Sequence, residues 1–224
     1  KNNLNIKKII LKNFSEGAQL INQNKGVETF FKIKISKDVS HINFFEKASF
    51  RYSENFNFGF DIIFKDIEKI CSLENEIIRK YLSNSIFNEK IFNKDEILEE
   101  DYFIKGNFRK IRKKLISDIA DARINEIVNI IFNKSTNIES LKRNKIKIYI
   151  IIEDQQILES FKERLKFYIY KNKEFEIYFI NDFKIEELIL NVANLSLYGW
   201  KKEAIPTTKI KKSLITRIFK YLFG

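Results

Sequence analysis

Residues 145–153, KIKIYIIIE, set the tightest limit on the fold: a short run of β-branched residues bounded by charge is satisfied as a strand covered on both faces. Such a strand belongs inside a parallel sheet with helices above and below it. The neighbouring patterns agree. Gln155–Tyr170 has helical periodicity, EFEIYFI (174–180) reads as another strand, and KIEELILNVANLSLYG (Lys184–Gly199) as a closing helix ended by Gly199. Upstream, Glu28–Ile35 (ETFFKIKI), Val39–Phe45 and Ser49–Tyr52 alternate apolar and polar residues across short polar breaks, as an antiparallel meander does. Before them, Ile6–Leu11 reads as a strand and SEGAQLINQ as a short helix with Ser15 as N-cap. From Asp61 the period changes, and DIIFKDIEKICSL and ENEIIRKYLS read as two helices. Ser83–Gly106 is polar and irregular, its acidic run Glu99, Glu100, Asp101 a solvated loop. The longest helical pattern is NFRKIRKKLISDIADARINEIVNIIFNK, capped by Asn107, with Phe108, Ile111, Leu115, Ile119, Ala122 and Ile127 near one face. A β-meander followed later by β-α-β-α predicts a mixed α/β domain with a helical insertion between its halves.

Composition excludes several functions. At 224 residues and 44% hydrophobic, the chain can bury a real core. One cysteine, Cys71, rules out an internal disulfide, and with His41 as the single histidine no His/Cys metal cluster is expected. A reducing compartment is the expected home. The opening KNNLNIKKII has no apolar run long enough for a signal peptide, and a start at Lys1 is expected of a piece beginning downstream of its natural N-terminus. Nowhere do eighteen apolar residues run together, so membrane contact is expected to be peripheral.

The net charge of +11 raises the question of nucleic acid, and its placement answers it. Lys201, Lys202, Lys209, Lys211, Lys212, Arg217 and Lys220 against Glu203 give the last 24 residues +6. Outside that tail no charged groove with interleaved aromatics is evident, so no nucleic-acid partner is expected. After Pro206, Thr207 and Thr208 the tail reads KIKKSLITRIFKYLFG. Spacing residues about 100° apart puts Leu214, Ile215, Ile218, Phe219 and Leu222 on one face. Ser213, Thr216, Arg217 and Lys220 fall opposite, Lys211 and Lys212 stand at the entrance, and Phe223 closes an aromatic-rich end. This is the pattern of an interfacial helix on anionic lipid, too short to hold its shape alone in water. Four cations at about 1 kcal/mol each would supply roughly 4 kcal/mol at low salt. The alternative is an ordinary last helix docked on its own core.

The segments LNIKKIILKNFSEGAQLINQNKGVETFF, FNFGFDIIFKDIEKICSL and SDIADARINEIVNII, in that order before such a tail, resemble the FtsA family, bacterial cell-division members of the actin-like superfamily. The resemblance covers nearly the whole chain and lies in order and spacing, with Gly59 and Asp66 matching a glycine and an aspartate usual there. It implies an actin-like (ribonuclease-H-like) α/β domain. Residues 1–60 and 143–200 would form subdomain 2A with the end of the preceding subdomain, 61–142 the inserted subdomain 2B, and 201–224 the linker and membrane-targeting helix. It implies a cell-division adaptor that tethers FtsZ filaments to the cytoplasmic face of the inner membrane at the division site, recruits the divisome and self-associates into filaments. Its partners would be the FtsZ C-terminal peptide and anionic lipid. The family's Arg-x-x-Glu pattern, which takes part in holding that peptide, matches Arg123 and Glu126; read alone, an i, i+3 pair is a solvated helix face. Lys110, Arg112, Lys113 and Lys114 would draw in an acidic peptide or keep the surface wet.

The departures concern nucleotide. Where actin-like proteins carry an acid and a Gly-rich phosphate turn, this chain reads FFKIKISKDVSH, without glycine and with Asp38 as the one candidate acid. Where glycines would meet the adenosine it reads IIIEDQQIL, with Glu153 and Asp154. Weak or absent binding of ATP and Mg²⁺ is therefore expected, no catalytic residue is assigned, and a scaffold is favoured over a working actin-like ATPase. Glu153 and Asp154 are adjacent at a strand end and should point apart. Cys71 reads as a small core residue, His41 as structural, and Trp200 as an anchor for the tail's exit or a cap on the core.

Overall fold

A computed structural model of the chain describes residues 8–84, 96–103, 108–134, 146–170 and 175–200, without side chains at 83–84, 133–134, 155–158 and 160. Among them five strands form one sheet in the order β3-β2-β1-β4-β5: β1 (Phe30–Ile35), β2 (Ser40–Glu46), β3 (Ser49–Phe56), β4 (Lys147–Ile152) and β5 (Glu176–Phe179). The first three are an antiparallel meander, while β4 runs parallel to both β1 and β5. The expected central strand is thus β4. The β2–β3 turn puts Lys47 and Ala48 at φ +50 and +64, the left-handed pair that a two-residue hairpin requires.

The period-2 alternation sorts the sheet into two unlike faces. Phe31, Ile33 and Ile35 of β1 lie level with Ile148, Ile150 and Ile152 of β4, and with Phe44 and Ile42 of β2. This wholly apolar face is covered by α2 (Asp61–Cys71), α3 (Asn75–Asn84), α4 (Lys113–Asn129) and α5 (Gln155–Tyr170), which bring in Phe64, Ile67, Ile78, Ile116, Ile124, Phe161 and Leu165. Each large side chain so buried contributes about 1.5–3 kcal/mol. α4 widens into a π turn, Ile130–Lys134, that keeps Ile131 and Phe132 in the same core. The opposite face carries Phe30, Lys32, Asn43, Phe45 and Tyr149 beneath α1 (Lys12–Gln23) and α6 (Ile185–Tyr198). Lys32 is fully buried there and ion-pairs with the equally buried Glu16 of α1. Beside it Asn43, level with Lys32 across β1 and β2, has neither side-chain atom hydrogen-bonded, and Gln19 Oε1 is likewise unpaired.

Three local expectations need correction. Residues 8–11 are not a strand: Ile9 and Leu11 are exposed and α1 begins at Lys12. Ser15 is not its N-cap but a buried residue of its first turns, where Oγ and the carbonyl accept from Asn191 Nδ2 of α6. The long helix starts at Lys113 rather than after Asn107, which lies outside the described residues. Phe108 and Ile111 precede it, in a segment bridged at Arg112 to Ile97. Its buried face is therefore Ile116, Ala120, Ile124, Ile127 and Val128, with Leu115 turned toward solvent. The acidic run holds a short 3₁₀ turn, Glu100–Tyr102.

Candidate functional site

In an open sheet a ligand crevice forms beyond the carboxyl ends of the strands where the chain leaves in opposite directions. Here that point lies between β1, which turns back into β2, and β4, which crosses through α5 to β5. The β1–β2 connection, residues 36–39, is closed by Ser36 N–H donating to the Val39 carbonyl at 2.9 Å. Its other side is clamped to α2: Phe60 N–H donates to Ser36 O at 3.1 Å and Asp61 N–H to Lys37 O at 3.0 Å. Gly59 permits the clamp, because a Cβ there would stand 2.1 Å from Ser36 O and 2.3 Å from Lys37 O. A helix N-terminus is ordinarily a seat for phosphate, but that of α2 is occupied by these two carbonyls.

The carboxylates around the crevice are paired. Glu153, whose N–H donates to Ile35 O, sends its side chain to Lys34 Nζ at 3.3 Å. Lys34 also donates to Asp182 at 2.6 Å. Burial raises the Asp182 pKa, but the bond and charge from Lys34 with the Phe183 N–H outweigh it, and the net shift is downward. Burial likewise lowers Lys34, and Asp182 with Glu153 reverses it to a net rise. Asp154 goes the other way, to Arg79 Nη1 at 3.0 Å. Arg79 is held by Asn75 at 2.8 Å, lies 4.5 Å over the Phe64 ring, and reaches Asp61 at 3.9 Å. Adjacent Glu153 and Asp154 thus serve different partners, as their place at a strand end requires. Asp38 is exposed and 3.7 Å from Lys65, which also holds Asp61 at 3.1 Å. Arg79, Lys34 and Asp61 had no signal in the sequence, since each reads as an ordinary surface charge.

Arg123 and Glu126 are brought together by one turn of α4, Nη1 donating to Glu126 at 2.6 Å. The rest of the guanidinium, through Nε and Nη2, grips Asp66 of α2. Asp66 and Arg123, matched separately in the sequence, are therefore one clamp between two helices. Lys113 pairs with Glu96. Cys71 is fully buried, and burial pushes its thiol pKa up. His41 Nδ1 and Asn55 Oδ1 stand 2.8 Å apart on neighbouring strands. Trp200 caps the second core: its indole N–H donates to Ala48 O at 2.9 Å and its ring meets Phe14 edge-on at 6.0 Å. Lys211, Lys212, Leu214, Ile215, Arg217, Ile218, Phe219, Lys220, Leu222 and Phe223 lie outside the described residues. Among the described residues no helix is long and apolar enough to cross a membrane, and no group of His, Cys, Asp and Glu is placed to hold a metal ion.

No protein-family model and no curated protein matches the sequence. Among solved structures the chain is similar to the PilM–PilN type IV pilus biogenesis complex, with 11% identity over 81% of this chain and 48% of that one, TM-score 0.49. It is similar to the ethanolamine utilization protein EutJ from Carboxydothermus hydrogenoformans, with 12% identity over 72% and 46%, TM-score 0.45. It is also similar to MreB 5 of Spiroplasma citri bound to AMPPNP, with 11% identity over 94% and 60%, TM-score 0.42. The chain spans about half the length of the first two. The fold class rests on the sheet itself: the order β3-β2-β1-β4-β5 with β2 alone antiparallel is the ribonuclease-H-like arrangement of actin-like proteins.

Proposed function

We propose that this chain is a non-catalytic actin-like scaffold that fastens FtsZ filaments to the inner face of the bacterial cytoplasmic membrane, gripping lipid through residues 211–223. The observation that supports the non-catalytic part is the paired charge at the crevice: two ion-pair systems, Glu153–Lys34–Asp182 and Asp154–Arg79–Asp61, stand at the strand ends where the actin-like reading would put a nucleotide. A triphosphate entering there would displace those pairs and meet uncompensated carboxylates. One like-charge contact at about 4 Å costs about 4 kcal/mol at a surface-like dielectric. The hairpin carbonyls that would have to turn away are already bonded to α2.

Support for the membrane part comes from the tail, whose apolar stripe and cations suit an anionic leaflet. One copy binds reversibly, and assembly into a filament raises attachment through effective concentration. For the FtsZ part, the Arg123–Glu126 pair sits on an accessible side of α4, with Glu126 the more exposed partner. An acidic peptide would be admitted by replacing Glu126 on Nη1 while Asp66 keeps the guanidinium aimed.

Calorimetric titration with Mg-ATP and co-sedimentation with vesicles containing phosphatidylglycerol test the proposal together. The expected results are no binding at micromolar ATP, vesicle binding by the full chain, and its loss in Phe219→Glu with FtsZ-peptide capture retained. Micromolar ATP affinity would overturn the non-catalytic reading, and equal vesicle binding by Phe219→Glu the membrane reading.

A further inference from the structure

α6 carries large apolar residues on both sides. Leu188, Val192 and Leu195 turn inward, while Ile185, Ile189, Leu190, Leu197 and Tyr198 are 64–74% exposed. Glu186, Glu187 and Asn194 are exposed among them, so the outer face is mixed, but five large apolar side chains exposed on one 14-residue helix exceed the scattered singles of an ordinary surface and mark a docking face. The position of Trp200 points to the occupant. Its bond to Ala48 and its contact with Phe14 fix the point where the chain leaves the body, at the carboxyl end of α6. Thirteen residues, 201–213, then precede the apolar stripe of the tail. They can reach about 45 Å, while the 14 residues of α6 span about 21 Å, so the stripe can lie along the whole helix. Running antiparallel, it would set the start of the tail stripe beside Trp200 and its end beside the amino end of α6. The helix dipoles would also oppose favourably.

We propose that Leu214, Ile215, Ile218, Phe219 and Leu222 dock on the outer face of α6 when no membrane is present, so that body and bilayer compete for the same side chains. This rests on the membrane reading above and adds its regulation. The docked form shields two apolar stripes at once and gives the tail a template that it lacks alone. A latch closed nine-tenths of the time weakens apparent vesicle affinity about tenfold, and anything that occupies α6 releases the tail.

The experiment compares the full chain, a chain ending at Ser213, Phe219→Glu, and Ile189→Glu/Leu197→Glu, whose changes point outward and leave the core alone. Amide hydrogen exchange across 185–198 is followed without lipid, and affinity is measured for vesicles of phosphatidylglycerol and phosphatidylcholine. Docking predicts faster exchange along α6 in the truncated chain and in Phe219→Glu, and an approximately tenfold gain in vesicle affinity for Ile189→Glu/Leu197→Glu. Unchanged exchange on truncation, with wild-type vesicle affinity in the α6 variant, would overturn the latch and leave the membrane reading standing. Loss of α6 protection on truncation, with no form binding vesicles, would support docking and sink the membrane reading instead. Protection that persists in the truncated chain and grows with protein concentration would assign the face to a second copy and overturn the latch.

Discussion

Removing the Glu16 carboxylate should be among the costliest single changes in this fold, and its cost should fall as pH rises. Lys32 is fully buried, and Glu16 is its one ion-pair partner among the described residues. Burial already lowers the Lys32 pKa, and the attraction of Glu16 partly restores it. In Glu16→Ala the ammonium has two choices: stay charged without a partner, which costs about 3–5 kcal/mol, or release its proton. Release from a normal pKa near 10.4 costs about 1.4 kcal/mol per unit, so at pH 7 the penalty cannot exceed roughly 4.6 kcal/mol. The sign follows from proton counts. With the folded lysine neutral and the unfolded one protonated, the unfolded state binds more protons, so stability rises with pH up to the unfolded pKa. The expected loss is thus about 3–4.5 kcal/mol at pH 7 and about 2 kcal/mol at pH 9. Urea unfolding followed by far-UV circular dichroism at both pH values measures it. The double change Glu16→Leu/Lys32→Met should recover most of the loss, because it removes both charges and keeps the volume. A Glu16→Ala cost under about 1 kcal/mol, equal at both pH values, would refute the reasoning.

Gly59→Ala should cost about 2–4 kcal/mol in urea unfolding, since its Cβ must push the 36–39 hairpin off α2, breaking two backbone hydrogen bonds. Gly26→Ala, with open space around it but φ +83, should cost only about 1–2 kcal/mol. A double-mutant cycle on Asp66→Ala and Arg123→Ala should give a coupling of about 1–2 kcal/mol, whereas Glu126→Ala should change stability by under about 0.5 kcal/mol; the reverse order would mean that the α2–α4 clamp is misassigned. Because the Asp182 pKa is lowered in the fold, its contribution is present above the unfolded value near about 3.9 and is lost as pH falls through the folded one. Asp182→Asn should therefore be less stable than wild type at pH 6 and converge with it in strong acid, as thermal melts across that range will show.

The sheet was legible because alternation is a local signal: Phe31/Ile33/Ile35, Ile42/Phe44 and Ile148/Ile150/Ile152 each mark one face, and their levels in the sheet agree. The start of α1 was not, because Leu11 carries no capping side chain and Ser15, which has one, is spent on α6 instead. The buried face of α4 was read rightly at Ile127 but wrongly at Leu115 and Ala122, because the pattern was anchored on Phe108 and Ile111, which precede the helix. The buried pair was hidden for another reason. In FFKIKI a lysine at alternate positions looks like a solvent face, and only the tertiary placement of α1 over β1 turns Lys32 inward. Similarly, the pairing of Arg79 of α3 with Asp154 after β4 joins residues 75 positions apart, which no local pattern reports.

The inequality of the two sheet faces sets an order in which the molecule comes apart. On the side of α2, α3, α4 and α5 the contacts are apolar and continuous, so baring any part of them exposes oily surface without return. On the side of α1 and α6 the first separation hydrates Lys32, Glu16, Asn43 and Gln19, whose confinement was the expensive part of that layer. Amides of α1 and α6 should therefore share one low opening energy well below that of β1 and β4, and those two helices should leave together as a lid that lifts from an intact slab.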